Sequence, residues 1–254
     1  MRTVIALLIT AVLSVPLAAQ EADLEKRANH YLDHVVLGIN NLDAGIQAFE
    51  QLTGVTPKKD GRDTQLGTES AIVGLGENMF LEIIAPDPKA DPDSLDPDLR
   101  DFIYDRLKSM NELTPFKWAV GTSNLERTSF FARRAGSRAT DIMEGSRKRG
   151  WGRKEQWTWF SVRLPESSVM PIFVQWKNEE KRPQDRAPEG CSLEALHAYS
   201  RSFKSVHALA ATMQVDIDVE GEEVESITLT MDCPAGEVVL GPKPLSGDPN
   251  IRQR

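Results

Sequence analysis

His34 and Lys117 occupy matching positions in two copies of one sequence pattern. The stretch that begins at His34 recurs 83 positions later at Lys117, and each copy has a short apolar run, a glycine, an Asn-Leu-acid turn and an amphipathic stretch. A repeat of this length predicts two copies of one supersecondary unit that share a core. A neutral imidazole can bind a metal ion or carry a proton, whereas a protonated lysine has no lone pair to offer a metal. The two copies therefore differ at the position where chemistry would occur.

The elements that position these side chains follow from the periodicity of the first copy. Residues 33–39 are β-branched and apolar and predict a strand, in which alternation places His34 and Val36 on one face. Asn41 is a typical N-cap, and apolar residues at helical spacing predict a helix from there to Gly54, which would end it. The helix would pack against the strand face opposite to His34.

Glu82 is a carboxylate where an apolar side chain would be expected. Strands are predicted at residues 70–75 and 79–85, and alternation puts Glu82 on one face with Phe80 and Ile84. Burying a carboxylate without a partner is costly, so we expect a metal ion or a cationic side chain beside it.

A basic segment interrupts an otherwise acidic chain, whose formal net charge is −8. It covers residues 146–154 and leads into a predicted strand. The side chains predicted to bind a carboxylate or phosphate group of a substrate are Arg147, Arg149, Arg153 and Trp157. The alternative is a solvated hairpin tip, followed by tryptophans that belong to the core.

The N-terminal residues predict export. Residues 1–20 contain Arg2, an apolar stretch from Val4 to Leu13 and a region of small residues before the expected cleavage site, which is typical of a cleaved signal peptide. The apolar stretch is shorter than the roughly 20 residues needed to span a bilayer. We therefore expect a secreted or periplasmic protein with no membrane span after cleavage. The alternative is a retained N-terminal anchor.

Charge and cysteine content narrow the function classes. The negative net charge argues against a generic nucleic-acid binder. The expected partner is a small-molecule ligand, and the expected assembly is a monomer or a homodimer. Cys191 and Cys233 lie outside any metal-like CxxC spacing. They form either one disulfide or two isolated buried thiols, and the sequence leaves both open.

Paired βαβββ units with a polar residue on the first and last strand of each resemble the vicinal oxygen chelate superfamily, which includes glyoxalase I, extradiol dioxygenases and bleomycin-resistance proteins. More narrowly, segments 32–38, 79–84 and 171–176 look like those of glyoxalase-like domain proteins, and the likeness extends over residues 31–241. It implies an α+β fold in which two paired βαβββ modules form a curved mixed-sheet cup, with a C-terminal βαββ partial module. The expected divisions are a signal peptide at 1–20, a first module at 31–86, an acidic linker with a short helix at 87–115, a second module at 116–182, the partial module at 191–241 and a loose tail at 242–254.

In the proteins that this chain resembles, a metal is held by the first and last strand of each unit. The residues carried over by position are His34, Glu82, Lys117 and Gln175. The resemblance implies His34, Glu82 and Gln175 as ligands of Zn²⁺, Fe²⁺, Mn²⁺ or Ni²⁺, whereas Lys117 departs from the pattern. Either those three ligands form an open site with Lys117 turned aside, or the ammonium replaces the metal, pairs with Glu82 and binds an anionic ligand.

The resemblance implies two main functions. The first is a metal-dependent or metal-derived enzyme of the lyase, isomerase or dioxygenase type that acts on a small oxygen-rich molecule, with Glu82 and Lys117 as catalytic residues. The alternative is a non-catalytic protein that binds or sequesters a small molecule, as bleomycin-resistance proteins do. A purely structural or interaction module ranks last because it leaves Glu82 unexplained.

Overall fold

Two similar halves follow one another along the chain in the computed structural model, which describes residues 28–76, 78–134, 137–148, 154–163, 169–178 and 182–242. The first half consists of β1 (His30–Gly38), α1 (Leu42–Thr53), β2 (Lys58–Asp63), β3 (Thr68–Gly74) and β4 (Phe80–Pro86). The second half consists of β5 (Thr114–Thr122), α2 (Leu125–Arg134), β6 (Arg138–Ala139), β7 (Met143–Lys148), β8 (Lys154–Arg163) and β9 (Ile172–Trp176). A C-terminal part follows, with β10 (Ser192–Ser200), α3 (Phe203–Met213), β11 (Asp218–Gly221), β12 (Ser226–Cys233) and β13 (Gly236–Leu240).

The strands of the two halves form one strongly curled mixed sheet. Their order is β6-β8-β7-β2-β3-β4-β1-β5-β9, and an additional pairing between β8 and β9 connects the two sides of the curl. At its centre, β1 runs parallel to β4 and antiparallel to β5, so the first strands of the two halves are neighbours. The expected α+β fold with a curved mixed-sheet cup is confirmed.

The first strand and helix form as the sequence pattern predicts. The Asn41 side chain caps α1 by accepting a hydrogen bond of 2.9 Å from the backbone N–H of Ala44. Gly54 ends the helix in the left-handed conformation, with φ of 74°. On the outer face of β1, Val35 and Leu37 are fully buried in the main core, which also contains Phe49 of α1. The inner face, which carries His34, is therefore left to line the cup.

Strand register brings the polar positions of the two halves together. Val36 pairs with Lys117 on β5 and with Glu82 on β4. Since directly paired residues point to the same face of a sheet, Lys117 and Glu82 flank Val36 on the inner face. His34 lies two residues before Val36 and shares this face.

Residues 87–115, predicted as an acidic linker with a short helix, cover one side of the cup. The helical part comprises Pro97–Leu99, a π turn at Arg100–Tyr104 and Asp105–Lys108, and we call it the 97–108 segment. Its Ile103 and Leu107 form a buried cluster with Val36 and Phe116. The acidic residues serve as helix caps, as where the Asp96 carboxylate accepts hydrogen bonds from two backbone N–H groups.

The C-terminal part forms a second, four-stranded sheet in the order β11-β10-β12-β13, with α3 beside it. Strand β11 was not predicted from the sequence and pairs parallel to β10. A disulfide joins Cys191 to Cys233 and thereby ties the start of β10 to the end of β12. Leu196 and Leu229 of this sheet belong to the same buried cluster as Val35, so the second sheet helps to cover the outer face of the first. Among the described residues, no helix has both the length and the apolar character needed to cross a membrane.

Candidate functional site

The inner face of the curled sheet encloses a cleft of about 790 Å³, including the part that is open to solvent. Most of its wall is apolar or aromatic, with Val36, Leu66, Ile84, Phe102, Ile103, Phe116, Trp157, Trp159, Ile172, Val174 and Trp176. Its polar lining residues are His34, Asp63, Thr68, Ser70, Glu82, Lys117 and Arg147. A mainly apolar lining with a few polar side chains is typical of a small-molecule site.

His34 is held in one orientation by its sequence neighbour Asp33. The pairing of β1 with β5 shifts register between Leu32 and His34, and this irregularity accompanies a direct contact between the two consecutive side chains. The Asp33 carboxylate lies 2.7 Å from Nδ1 of His34 and is completely buried. A carboxylate can only accept, so Nδ1 donates, and Nε2 is the ring nitrogen left to act in the cup.

Two further donors hold the Asp33 carboxylate. Trp176 donates its indole N–H to both carboxylate oxygens, at 3.1 and 3.2 Å, and Arg182 donates from 3.3 Å. The charged Arg182 keeps the buried Asp33 compensated, and together these contacts make an Arg–Asp–His chain that ends in the cup.

A cationic side chain lies beside Glu82, as expected, and it is that of Arg147. One guanidinium nitrogen of Arg147 binds Glu82 and another binds Asp60, and all three side chains are buried. Arg186 in turn binds Asp60 through two hydrogen bonds of 2.9 and 2.8 Å and reaches Glu155 at 2.8 Å. Charges alternate along this chain, so each buried group has an opposite neighbour.

The pKa shifts in this chain reflect its alternating charges. Burial raises the pKa of the Asp60 carboxyl, but the guanidiniums of Arg147 and Arg186 outweigh burial and hold that pKa below its usual range. Burial lowers the pKa of Arg147, but Glu82 and Asp60 more than offset this and raise it. Arg147 therefore stays charged and keeps Glu82 bound.

Lys117 lies in the cup rather than outside it. Its side chain lines the cleft and is buried, with Nζ 3.5 Å from the carbonyl oxygen of Met170 and 5.0 Å from the ring centroid of Phe102. An ammonium over an aromatic ring gains a favourable cation–π interaction. The structure thus brings His34, Glu82 and Lys117 into one hollow.

Gln175 does not lie in this hollow, and its position contradicts the expected role as a metal ligand. The residues of β9 that line the cup are Ile172, Val174 and Trp176, so Gln175 points to the other face. Its amide oxygen accepts from the backbone N–H of Leu125 at 3.0 Å, at the start of α2. For Gln175 to face the cup, the alternation of side chains along β9 would have to be shifted by one residue.

The basic segment contributes to the cup in part. Arg147 and Trp157 both line the cleft, and the guanidinium of Arg147 lies 5.5 Å from the Trp157 ring centroid. Trp159, interpreted as a core residue, is buried and also lines the cleft. Arg149 and Arg153 lie outside the described residues, so their predicted substrate contacts stay predictions.

Residues 32–213 match the family profile described as a glyoxalase-like domain. The chain belongs to the glyoxalase-like domain family. Among solved structures, it is similar to a hypothetical protein from Staphylococcus aureus, with 12% identity, coverage of 85% of this chain and 100% of that chain, and a TM-score of 0.62. It also matches methylmalonyl-CoA epimerase from Mycobacterium tuberculosis, with 17% identity, coverage of 59% and 89%, and a TM-score of 0.41. A sequence search of curated proteins finds no significant match.

Members of the superfamily often use divalent metals, but the donors of this glyoxalase-like cup do not fit one. Of the four positions, His34 offers an imidazole, Glu82 is bound by Arg147, and Lys117 brings a positive charge. The fourth, Gln175, faces away. Among the described residues, no group of three or more His, Cys, Asp or Glu side chains is arranged to hold a metal ion. The residues present match an ammonium-containing site better than a metal centre.

Three polar residues of the site, one behind His34 and two in the cleft wall, do not follow from the sequence pattern of this glyoxalase-like protein. Asp33 was missed because a regular strand would point it away from His34, although the Asp-His pair itself was a usable signal. Asp63 and Ser70 lie on strands β2 and β3 and are buried in the cleft wall. Burial raises the pKa of the Asp63 carboxyl, with two backbone N–H groups and Arg147 acting in the opposite direction. No residue pattern marks these two positions, because their neighbours across the curl come from other strands.

Proposed function

We propose that the cup binds a small organic anion with an aromatic or otherwise flat apolar body, and that it does so without a metal ion. The observation that carries this proposal is the Lys117 ammonium in the wall of an aromatic cleft, at the position where the superfamily resemblance implies a metal ligand. In a site of low dielectric, a cation attracts a ligand carboxylate or enolate more strongly than it does in water. Lys117 thus supplies the positive charge that a metal would otherwise supply.

The apolar wall supports the aromatic part of the proposal. Trp157 and Trp176 both line the cleft and pack with 5.4 Å between their ring centroids. Rings arranged in this way present flat apolar surface to a ligand ring, which gains burial and ring–ring contacts. Trp157, Trp159 and Trp176 all line the cleft, so tryptophan fluorescence should report binding directly.

A second candidate function is a proton-transfer enzyme of the isomerase or lyase type. The specific observation in its favour is the Asp33–His34 contact, since a carboxylate that fixes the imidazole tautomer is how proteins prepare a general base. Nε2 of His34 would take a proton next to a carbonyl or carboxylate group. Lys117 would stabilise the oxygen on which negative charge develops.

We also propose that the protein acts outside the cytoplasm. The signal-like pattern of residues 1–20 supports this, although those residues lie outside the described ones. The Cys191–Cys233 disulfide supports it as well, because disulfides persist in oxidising compartments.

Titration of metal-free protein with benzoate, phenylacetate and the neutral analogue benzyl alcohol tests the binding proposal. The expected result is tryptophan quenching by the two anions, loss of that quenching in Lys117→Met, and little response to benzyl alcohol. A matched control is Lys108→Met, at an exposed lysine of the 97–108 segment. Equal binding of anions and benzyl alcohol, or unchanged anion binding in Lys117→Met, would refute the proposal.

A further inference from the structure

Ser70 carries a buried hydroxyl that has no hydrogen-bond partner among the described residues. Its side chain is 4% exposed and lines the cleft, on the same face of β3 as Thr68. Buried hydroxyls in folded proteins are nearly always hydrogen-bonded, and one without a partner calls for an explanation. A ligand group that completes the hydrogen bond would supply it.

Asp63 lies beside Ser70 and has a fixed orientation. Its Oδ1 accepts hydrogen bonds from the backbone N–H groups of Gln65 and Leu66, at 2.9 and 3.1 Å, in the turn between β2 and β3. Asp63 pairs directly with Thr68, so Ser70 is its diagonal neighbour across the two strands. Such diagonal neighbours are about 7–8 Å apart, and their Cβ atoms are somewhat closer, which lets one ligand oxygen contact both side chains.

This pair lies across the cup from Lys117. Directly paired residues form a row across four neighbouring strands, β5, β1, β4 and β3. The residues of this row are, in that order, Lys117, Val36, Glu82 and Ile72. Three strand spacings correspond to about 14 Å along the sheet, and the curl turns both ends towards the same hollow. A ligand that reaches both ends needs an anionic group at one end and a hydrogen-bonding group at the other.

We propose that Ser70 and Asp63 form a second polar subsite, which binds a hydroxyl group of the ligand. The preferred ligands are therefore hydroxylated aromatic carboxylates, with the carboxylate at Lys117, the ring against the tryptophans and the hydroxyl at Ser70 and Asp63. This inference rests on the function proposed above and adds the substrate class. A site built to hydrogen-bond a hydroxyl discriminates strongly against an analogue that lacks it, because the buried polar groups are then left without partners.

The test compares matched probes that differ by one hydroxyl: 4-hydroxyphenylacetate with phenylacetate, and 4-hydroxybenzoate with benzoate. In the unmodified protein, we expect the hydroxylated member of at least one pair to bind more than about tenfold more tightly. Ser70→Ala should reduce this ratio to near one, and Asp63→Asn should reduce it as well. Lys117→Met should weaken both members of the pair together.

Ser161→Ala is the matched control, because the Ser161 hydroxyl is also buried without a partner among the described residues but does not line the cleft. Its selectivity ratio should stay unchanged. If Ser70→Ala is too unstable to study, Ser70→Cys and Asp63→Asn test the same ratio. A ratio that survives both changes at positions 70 and 63 overturns the subsite while leaving anion binding at Lys117 intact. Failure of all four probes to bind the unmodified protein counts against the proposed function itself.

Discussion

The guanidinium of Arg147 binds the carboxylate of Glu82 across 65 positions of sequence, inside the wall of the cup. The same guanidinium binds Asp60, so one arginine compensates two buried carboxylates that come from different strands. This contact decides how Glu82 is used, because a carboxylate that is held by an arginine is a poor metal ligand.

Replacing Arg147 should strongly destabilise the protein. Arg147→Met leaves Glu82 without its cation in a buried site, and we expect the free energy of unfolding to fall by about 3–5 kcal/mol. Urea denaturation measures the change. The control is Arg133→Met, which breaks an exposed pair with Asp141 and should have little effect. Removing both charges in Arg147→Met/Glu82→Met should cost less than Arg147→Met alone, and a double variant that is clearly less stable would contradict this account.

Metal binding should be weak until the lysine is replaced. We expect the purified protein to carry far less than one transition-metal ion per chain, and Lys117→His to raise its affinity for Zn²⁺ by at least roughly tenfold, since an imidazole then replaces an ammonium near His34. Titration calorimetry measures the affinity. Lys117→Leu removes the charge without adding a ligand and should gain less. Gln175→Ala should leave the Zn²⁺ affinity unchanged. A lower Zn²⁺ affinity in that variant would indicate that Gln175 is a metal ligand after all.

The charge of Asp63 should reduce stability at neutral pH. Burial raises the pKa of this carboxyl in the folded protein. The stabilising effect of its proton is therefore fully present below the unfolded-state pKa and is lost as pH rises through the raised folded-state pKa. Asp63→Asn keeps an oxygen that can accept the two backbone hydrogen bonds, so this variant should be more stable than the unmodified protein at pH 7. Thermal denaturation at pH 7 and pH 4 should show a smaller gain at the lower pH. An equal gain at both values would exclude titration of Asp63 as the cause.

Reduction of the disulfide should weaken the C-terminal sheet. Cys191 and Cys233 are 42 positions apart, and closing a loop of that length stabilises a folded chain by about 4 kcal/mol through the entropy of the unfolded state. Cys191→Ser/Cys233→Ser should lower the unfolding free energy by a similar amount in urea. A dithiothreitol-treated sample should match the double variant, and a reduced protein with unchanged stability would contradict the expectation.

The positions that follow from strand alternation could be predicted from the sequence. His34, Glu82 and Lys117 reach one hollow because each lies on the inner face of a regular stretch of strand, and the repeat indicated that two of them correspond. Asn41 and Gly54 could be predicted because capping depends only on local conformation. Where structure is local and regular, the pattern was sufficient.

The remaining site residues depend on irregular or long-range features. Asp33 contacts His34 at a register shift in the strand, which no two-residue period predicts. Gln175 was assigned to the wrong face because strand phase is undetermined by one residue without its partner strand. The acidic linker at 87–115 is predicted to contain a short helix, but the sequence does not predict that apolar residues of the 97–108 segment, such as Ile103, cover the cup.

The pairing of β8 with β9 has a mechanical consequence for the tryptophan side of the hollow. Backbone hydrogen bonds join these strands along Trp157↔Trp176 to Ser161↔Ile172, so this wall belongs to a continuous ladder and cannot splay outward without breaking it. The 97–108 segment is instead packed against the sheet through side chains such as Leu107. A segment that is held only by side-chain packing opens locally at a lower free energy than strands that are joined by backbone hydrogen bonds. We therefore expect ligands to enter and leave the cup on the side of the 97–108 segment.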